Sequence, residues 1–371
     1  MPLKTVPQPE PKSAVLQEFE LILKKATEKK ASDVHFKAGL PAIVRVNGNL
    51  YYLAGDEAGE NVPRLDVQQL RNFSEALMTV RQKEKYEAGE EVDLGYDLSG
   101  RGRFRINLCQ QRGNPRMVCR HIPDHIRNFD ELHLPPVVQE LTQFNRGLIL
   151  VTGATGSGKS TTLAAMIDHI AQTKSCHIVT IEDPIEYTFE SKNSVINQRE
   201  VEIDTKSFHA ALRSAFREDI DVIMVGEMRG PETMSAAVTA AETGHLVLST
   251  LHTNNAAQTI DRIIDTFPAG QQDQIRIQLA SSLAGIFSQR LVPRISGGLI
   301  PAYELLVNNE AVANLIRERR THEVNAVIET GTESGMIDMN RCLADLVRKG
   351  EVTPENALAR ALNPKTFTRL I

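Results

Sequence analysis

The sequence predicts an α/β protein, a mainly parallel sheet covered by helices, with a smaller α+β domain ahead of it. Three observations carry this. After residue 147, short apolar runs of strand length alternate with helical stretches, the pattern of a parallel sheet buried on both faces. Before residue 123, strand-like runs with turn signals between them accompany two helical stretches. And 371 residues, 41% of them hydrophobic, are too many for one ordinary core.

The chain starts with Met1-Pro-Leu-Lys-Thr-Val-Pro-Gln-Pro-Glu-Pro11, proline-rich and polar without an apolar signal core, so residues 1–12 are expected to be a flexible tail. From Ala14 to Lys30, Leu16, Phe19, Leu23 and Ala26 form a helical stripe. After Ala31-Ser-Asp-Val-His35, the runs Ala42–Val46 and Asn49–Leu53 flank Asn47-Gly48, a type I′ turn signal. Residues 66–88 read as one helix. In Gly102–Leu108, the residues Phe104, Ile106 and Leu108 share one strand face, and Arg101, Arg103, Arg105 and Asn107 the other. Asn114-Pro115 marks a turn and Arg116–Ile122 returns. Residues 13–122 thus form the N-terminal domain, and a face studded with arginines is ordinarily solvated surface. Residues 123–133 read as a linker and 134–371 as the second domain.

In that second domain the strand-like runs are Leu148–Val151, His177–Ile181, Asp221–Val225 and Leu246–Leu251. Ligands of such sheets sit at the carboxyl ends of strands. A glycine loop follows the first run, Glu182-Asp183 the second, Glu227 the third and His252 the fourth. From Gln271 to Leu291 the stripe Ile275, Leu279, Leu283, Phe287 predicts a helix, and residues 310–320, 338–349 and 354–362 read as further helices.

The net charge of −5 argues against nucleic acid as the main partner. Cys109, Cys119, Cys176 and Cys342 are scattered, with no C-x-x-C, and fit a reducing compartment better than a zinc site or a disulfide framework. No run approaches the roughly 18 apolar residues of a membrane span. The expectation is a soluble cytoplasmic protein.

Gly153-Ala-Thr-Gly-Ser-Gly-Lys-Ser160 fits G-x-x-x-x-G-K-[ST] in full, between an apolar run and the helical Thr161–Ile170. Gly153, Gly156 and Gly158 let the backbone curl until its N–H groups face phosphate oxygens, and Ala154, Thr155 and Ser157 complete the loop. The helix dipole favours the same anion. Lys159 can reach β- and γ-phosphates, and the Ser160 hydroxyl can ligate Mg²⁺. Hydrolysis of a nucleoside triphosphate also needs an oriented water and charge neutralisation, for which Glu182, Asp183 and Glu227 are the strand-end carboxylates. Gly226-Glu227 after an apolar run is a Walker B variant with glycine where aspartate often stands. His245 and His252 bracket one strand, beside Thr250 and Thr253. A lone histidine is usually structural, but this pair can sense a γ-phosphate or link it to a neighbouring subunit, and no further ligand follows at zinc spacing.

Four boxes, Gly153–Thr161, Thr180-Ile-Glu-Asp-Pro-Ile-Glu-Tyr187, Val222-Ile-Met-Val-Gly-Glu-Met-Arg229 and Glu242–Thr253, follow in an order that resembles the type II/type IV secretion ATPase superfamily. Ala31–His35, Gly102–Asn107 and Asn197-Gln-Arg-Glu200 resemble its pilus-retraction branch. The resemblance runs from about residue 14 to residue 350. It implies a hexameric ring with an N-terminal PAS-like domain and a C-terminal RecA-like P-loop NTPase domain, with ATP and Mg²⁺ bound between them. Turnover would drive type IV pilus retraction, that is twitching motility, from the cytoplasmic face of the inner membrane. An inner-membrane platform protein and the pilus machinery would be the partners, without direct membrane insertion. Carried over by motif, Gly153–Thr161 with Asp183, Arg229 and His245 would hold nucleotide, and Ser160 and, through water, Glu227 would hold Mg²⁺. Lys159, Glu182 as general base, Glu227, His252, Arg105 and Arg120 would serve catalysis, the two arginines reaching the nucleotide. The branch's usual Pro-Asp before the Walker B strand is Ile220-Asp221 here, its usual acid after Met-Arg is Gly230, and its common arginine stands replaced by Ala313. Ala313 leaves room for an accessory retraction paralogue. A ring subunit that binds ATP and hydrolyses little, or a nucleic-acid motor, are the other readings. The assembly and secretion branch is disfavoured by the lack of an extra N-terminal domain and a tetracysteine module.

Overall fold

Two sheets organise the chain, each with its own core. The computed structural model describes residues 13–53 and 63–371, so the tail expected at 1–12 lies outside it. The chain divides into two compact units between His125 and Ile126.

The first unit is a six-stranded antiparallel sheet of β1 (Asp33–Lys37), β2 (Ile43–Val46), β3 (Asn49–Tyr52), β4 (Val92–Leu98), β5 (Gly102–Gln111) and β6 (Asn114–Ile122), in the order β3-β2-β1-β6-β5-β4. One face carries the core. There Phe19 of the helix Ala14–Glu28, Phe36 of β1 and Phe73 of the helix Val67–Leu77 cluster with ring centroids 5.5 to 6.3 Å apart. Asn47 and Gly48 both take positive φ, as a type I′ turn demands. Arg112 and Gly113 do the same between β5 and β6. The expected turn at Asn114-Pro115 is therefore misplaced: proline is locked near φ −65° and cannot enter such a turn, so it falls inside β6, paired with Gln110. The single helix expected over 66–88 is two, Val67–Leu77 and Val80–Glu87. Thr79 breaks it with a capping box, accepting from Gln82 N while its own N–H donates to the Gln82 side chain.

On the opposite face, cross-strand register lines up Arg45, Asp33, Arg120 and Arg105 in one row. Arg120 Nε donates to Asp33 Oδ1 at 3.0 Å, and Arg105 Nε lies 3.9 Å from Asp93 Oδ1. Arg101 is not on this face. It sits in the turn before β5 and pairs with Glu28 at 3.1 Å.

The second unit holds a seven-stranded sheet of β7 (Gly147–Thr152), β8 (His177–Glu182), β9 (Val195–Glu200), β10 (Val222–Val225), β11 (Leu246–Leu251), β12 (Leu283–Pro293) and β13 (Leu299–Val307). The order is β13-β12-β7-β11-β10-β8-β9, with every pair parallel except β12 with β13. The central strands are unbroken apolar runs because both faces are covered. Leu148 and Leu150 enter one core cluster, Ile149 and Val151 the other. The helix expected to reach Leu291 ends at Ser282, and Leu283 and Phe287 belong to β12. A four-residue spacing puts side chains on one face of a strand as well as of a helix. Pairing with β7 and β13 decides between them. β9 and β13 are further strands that periodicity did not reveal. The helix expected over 354–362 spans only Pro354–Leu358. Part of the expected linker belongs to this unit: Phe129 is buried in its core, its ring edge-on to His169 at 5.2 Å. No helix among the described residues is long and apolar enough to cross a membrane.

Candidate active site

The parallel strands bring their carboxyl ends to one edge, and the glycine loop leaves β7 there. Gly153 has φ 146°, and a Cβ on it would lie 2.4 Å from Gln289 O. Gly158 caps the helix Lys159–Thr173 with φ 91°, and its Cβ would lie 2.9 Å from Gln289 Nε2. Both glycines are therefore required by β12, which runs past the end of β7 beneath the loop. Gln289, 2% exposed, staples the loop from below. Its Nε2 donates to Ser157 O at 2.6 Å and its Oε1 accepts from Thr162 Oγ1 at 2.8 Å.

Lys159 folds its ammonium into the curl, donating to Gly153 O at 2.9 Å and Ala154 O at 3.2 Å. It is 9% exposed, and burial lowers its pKa, with the charges of Glu227 and Glu186 working against that. Ser157 Oγ is buried without a hydrogen-bond partner. An orphaned donor inside a glycine cradle with a buried ammonium suits phosphate oxygens. Ala154, Thr155, Gly156 and Ser160 form the exposed rim, which leaves the Ser160 hydroxyl open to a metal held against the phosphates. Thr161 Oγ1 is 3.1 Å from Tyr187 OH of the acidic box. Lys159→Ala is expected to lower kcat by about 10²–10³-fold, the cost of one preorganised charge at the reacting phosphate. Phosphate release checks this, and a thermal melt close to the parent's shows that the loop has kept its fold.

Glu182 ends β8, 7% exposed. Its Oε1 accepts from Thr180 Oγ1 at 2.7 Å and Gln198 Nε2 at 3.1 Å, and its Oε2 accepts from Glu186 N at 3.4 Å. Burial pushes its pKa up to about 7, with those three hydrogen bonds opposing and the Glu186 charge adding. A carboxyl poised there is ionised enough to accept a proton and basic enough to hold it. Asp183 beside it is exposed. Gly226 crosses behind: a Cβ there would lie 3.3 Å from Ile181 O and in ordinary contact, 3.6 Å, with Glu182 Cα, so a side chain at 226 would crowd the β8 carbonyl just before the base.

Glu227 pairs with Arg229 Nη2 at 2.5 Å, and His252 Nε2 stands 4.0 Å from its other oxygen. His252 Nδ1 is 3.5 Å from Lys159 Nζ. Burial and then the Lys159 charge lower the His252 pKa, Glu227 raises it and Arg229 lowers it again, which keeps the imidazole neutral at pH 7. With the ammonium on the Nδ1 side, the ring proton belongs on Nε2, facing Glu227. Lys159, His252, Glu227 and Arg229 thus form one continuous polar chain.

His245 is not brought to this site. It precedes β11, at the end of the strand opposite His252, about 20 Å away along six residues of strand. Its Nδ1 donates to Ala240 O at 3.1 Å and its ring lies edge-on to Phe216, a structural role. Its expected place among the nucleotide-binding residues is corrected accordingly. Arg105 and Arg120 belong to the first unit. Gln289 and Gln198 went unassigned in the sequence. The odd-numbered run Leu283, Gly285, Phe287, Gln289 was the available sign that a strand face leads to the loop.

Residues 104–332 match the family described as type II/IV secretion system protein. The chain is 45% identical over 337 residues to the type IV pilus retractation ATPase PilT of Pseudomonas aeruginosa, covering 91% of this chain and 96% of that one. It is 40% identical over 345 residues to the type IV pilus ATPase PilU of the same organism, covering 93% and 88%. It superposes on the crystal structure of the pilus retraction motor PilT with bound ADP at a TM-score of 0.85, with 48% identity over 94% of this chain and 98% of that one.

Proposed function

This chain belongs to the type II/IV secretion system protein family, and we propose that it is an ATP-hydrolysing motor that powers type IV pilus retraction. The observation that carries this is the likeness, above 90% coverage, to retraction motors, together with the linked Lys159, His252 and Glu227 and the buried Glu182 at the end of β8. Six copies form a ring at the cytoplasmic face of the inner membrane, acting on a platform protein of the pilus machinery. ATP lies on the loop Gly153–Thr161, and the ammonium of Lys159 leaves its loop carbonyls for the phosphate oxygens. Water attacks the γ-phosphorus in line, Glu182 takes its proton, and the bond to the ADP oxygen breaks. Ser160, and Glu227 through water, would hold Mg²⁺, which when bound neutralises phosphate charge. His252, between Lys159 and Glu227, is placed to register the loss of the γ-phosphate.

The test is a deletion strain. Loss of twitching with accumulation of surface pili is expected, and unchanged motility and pilus number would overturn the proposal. A second reading, an accessory retraction ATPase, has one observation in its favour: Ala313, where the branch commonly has arginine, is 6% exposed on the helix Glu310–Arg317. In that case the deletion strain keeps twitching unloaded and loses it under load.

The base assignment also fixes a pH dependence. Only ionised Glu182 accepts a proton, so kcat/KM is expected to hold above pH 7 and to fall tenfold per unit below about 7. An acid limb near the ordinary carboxyl value would remove Glu182 from that role.

A further inference from the structure

The strand Asn197-Gln-Arg-Glu200 has no part in the steps above, yet it touches the base. β9 lies at the sheet edge beside β8, with Gln198 level with Thr180 and Glu200 level with Glu182. The Gln198 amide is fully engaged. Its Nε2 donates to Glu182 Oε1 at 3.1 Å and to Tyr187 O at 2.8 Å, and its Oε1 accepts from Phe189 N at 2.8 Å. The carbonyl on one side and the N–H on the other admit one orientation of the amide. Glu200 Oε2 accepts from Ile185 N at 3.1 Å, so the same strand holds the loop that follows the base.

The two carboxylate oxygens of Glu182 are thereby made unequal. Oε1 receives two donors, from Thr180 and Gln198, and Oε2 a single one at 3.4 Å. We propose that Gln198 is a positioning residue which, with Thr180, pins Oε1 of Glu182 so that Oε2 is the oxygen that takes the proton of the attacking water. The physical reason is that donors on one oxygen tie up its lone pairs and fix the carboxylate plane. The oxygen with spare lone-pair capacity then has one direction in which to accept, and small misplacements of a catalytic group are costly in rate. This rests on the reading of Glu182 as base.

The test compares Gln198→Met, Thr180→Val and Thr180→Ser, alone and in a Glu182→Gln background, by kcat and by ADP affinity. Gln198→Met and Thr180→Val are each expected to lower kcat about tenfold, within the range that misplacing a reacting group costs, with ADP affinity unchanged. Thr180→Ser, which keeps the hydroxyl, restores turnover. In Glu182→Gln, which is already slow, Gln198→Met adds no further loss, because two residues that act through one group are not additive. An equal further loss in both backgrounds, or ADP affinity falling in step with kcat, reduces Gln198 to a loop scaffold and overturns the proposal while leaving the base in place. Parent-like turnover by Glu182→Gln alone overturns the base and the proposal together. Should Gln198→Met not fold, Thr180→Val decides, since among the described residues the only hydrogen bond of that hydroxyl is to the carboxylate.

Discussion

Replacing Arg105 and Arg120 together with alanine is expected to lower ATP turnover by about 10³–10⁵-fold, the range an arginine at a transferring phosphate supplies. The phosphate loop, the acidic boxes and His252 all lie in the second unit, where the cations that act on His252 are Lys159 and Arg229. Lys159 is engaged with the loop and Arg229 with Glu227. A metaphosphate-like transition state gains from an added guanidinium. In the first unit Arg105 and Arg120 stand directly opposite each other across β5 and β6. Like charges so placed are unfavourable for the sheet itself, offset here by Asp33 and Asp93. Removing Arg120 takes one partner from the buried Asp33, which keeps Ser32 Oγ at 2.8 Å and Arg45 at 4.0 Å, so a lowered melting temperature with the fold retained is expected. The expectation to be tested is that in a ring these arginines reach a neighbour's nucleotide. Mixing inactive Lys159→Ala chains with inactive Arg105→Ala/Arg120→Ala chains should then restore part of the activity, because an intact loop meets intact arginines in a mixed ring. A mixture that forms rings by light scattering and stays inactive rejects that arrangement, as does full activity in a proven monomer.

Glu182→Gln is expected to bind ATP and turn it over about 10²–10⁴-fold more slowly, the usual worth of a general base. The amide keeps the size of the side chain and cannot take the proton. Stability separates this from unfolding. The native pKa of Glu182, about 7, lies above the ordinary carboxyl value of 4.5. Burial therefore costs stability as pH rises through that window, by roughly 3 kcal/mol once the group is ionised. At pH 8 the glutamine variant carries no buried charge, so it should melt no lower than the parent. If Glu227→Gln instead shows tight binding with slow turnover while Glu182→Gln behaves like the parent, the two carboxylates exchange roles.

What the sequence determined by itself is what contiguous residues encode. The glycine loop with Lys159 and Ser160, the acids closing β8 and β10, His252 closing β11, and the alternation of Phe104, Ile106 and Leu108 are all local. Each follows from steric demands or burial acting within a few residues. Tertiary structure decided what depends on partners far along the chain. Leu283 and Phe287 fit a helix or a strand equally, and pairing with β7 chose the strand. That choice set Gln289 under a loop 132 residues away in sequence. The two oxygens of Glu182 became unequal through Gln198, which lies on a neighbouring strand. His245 and His252 look equivalent in sequence, and the direction of β11 sends them to opposite ends of the strand. The physical reason is common to all three. A buried hydrogen-bonding group needs a partner in space, and which residue supplies it is set by strand order and register, which no local pattern carries.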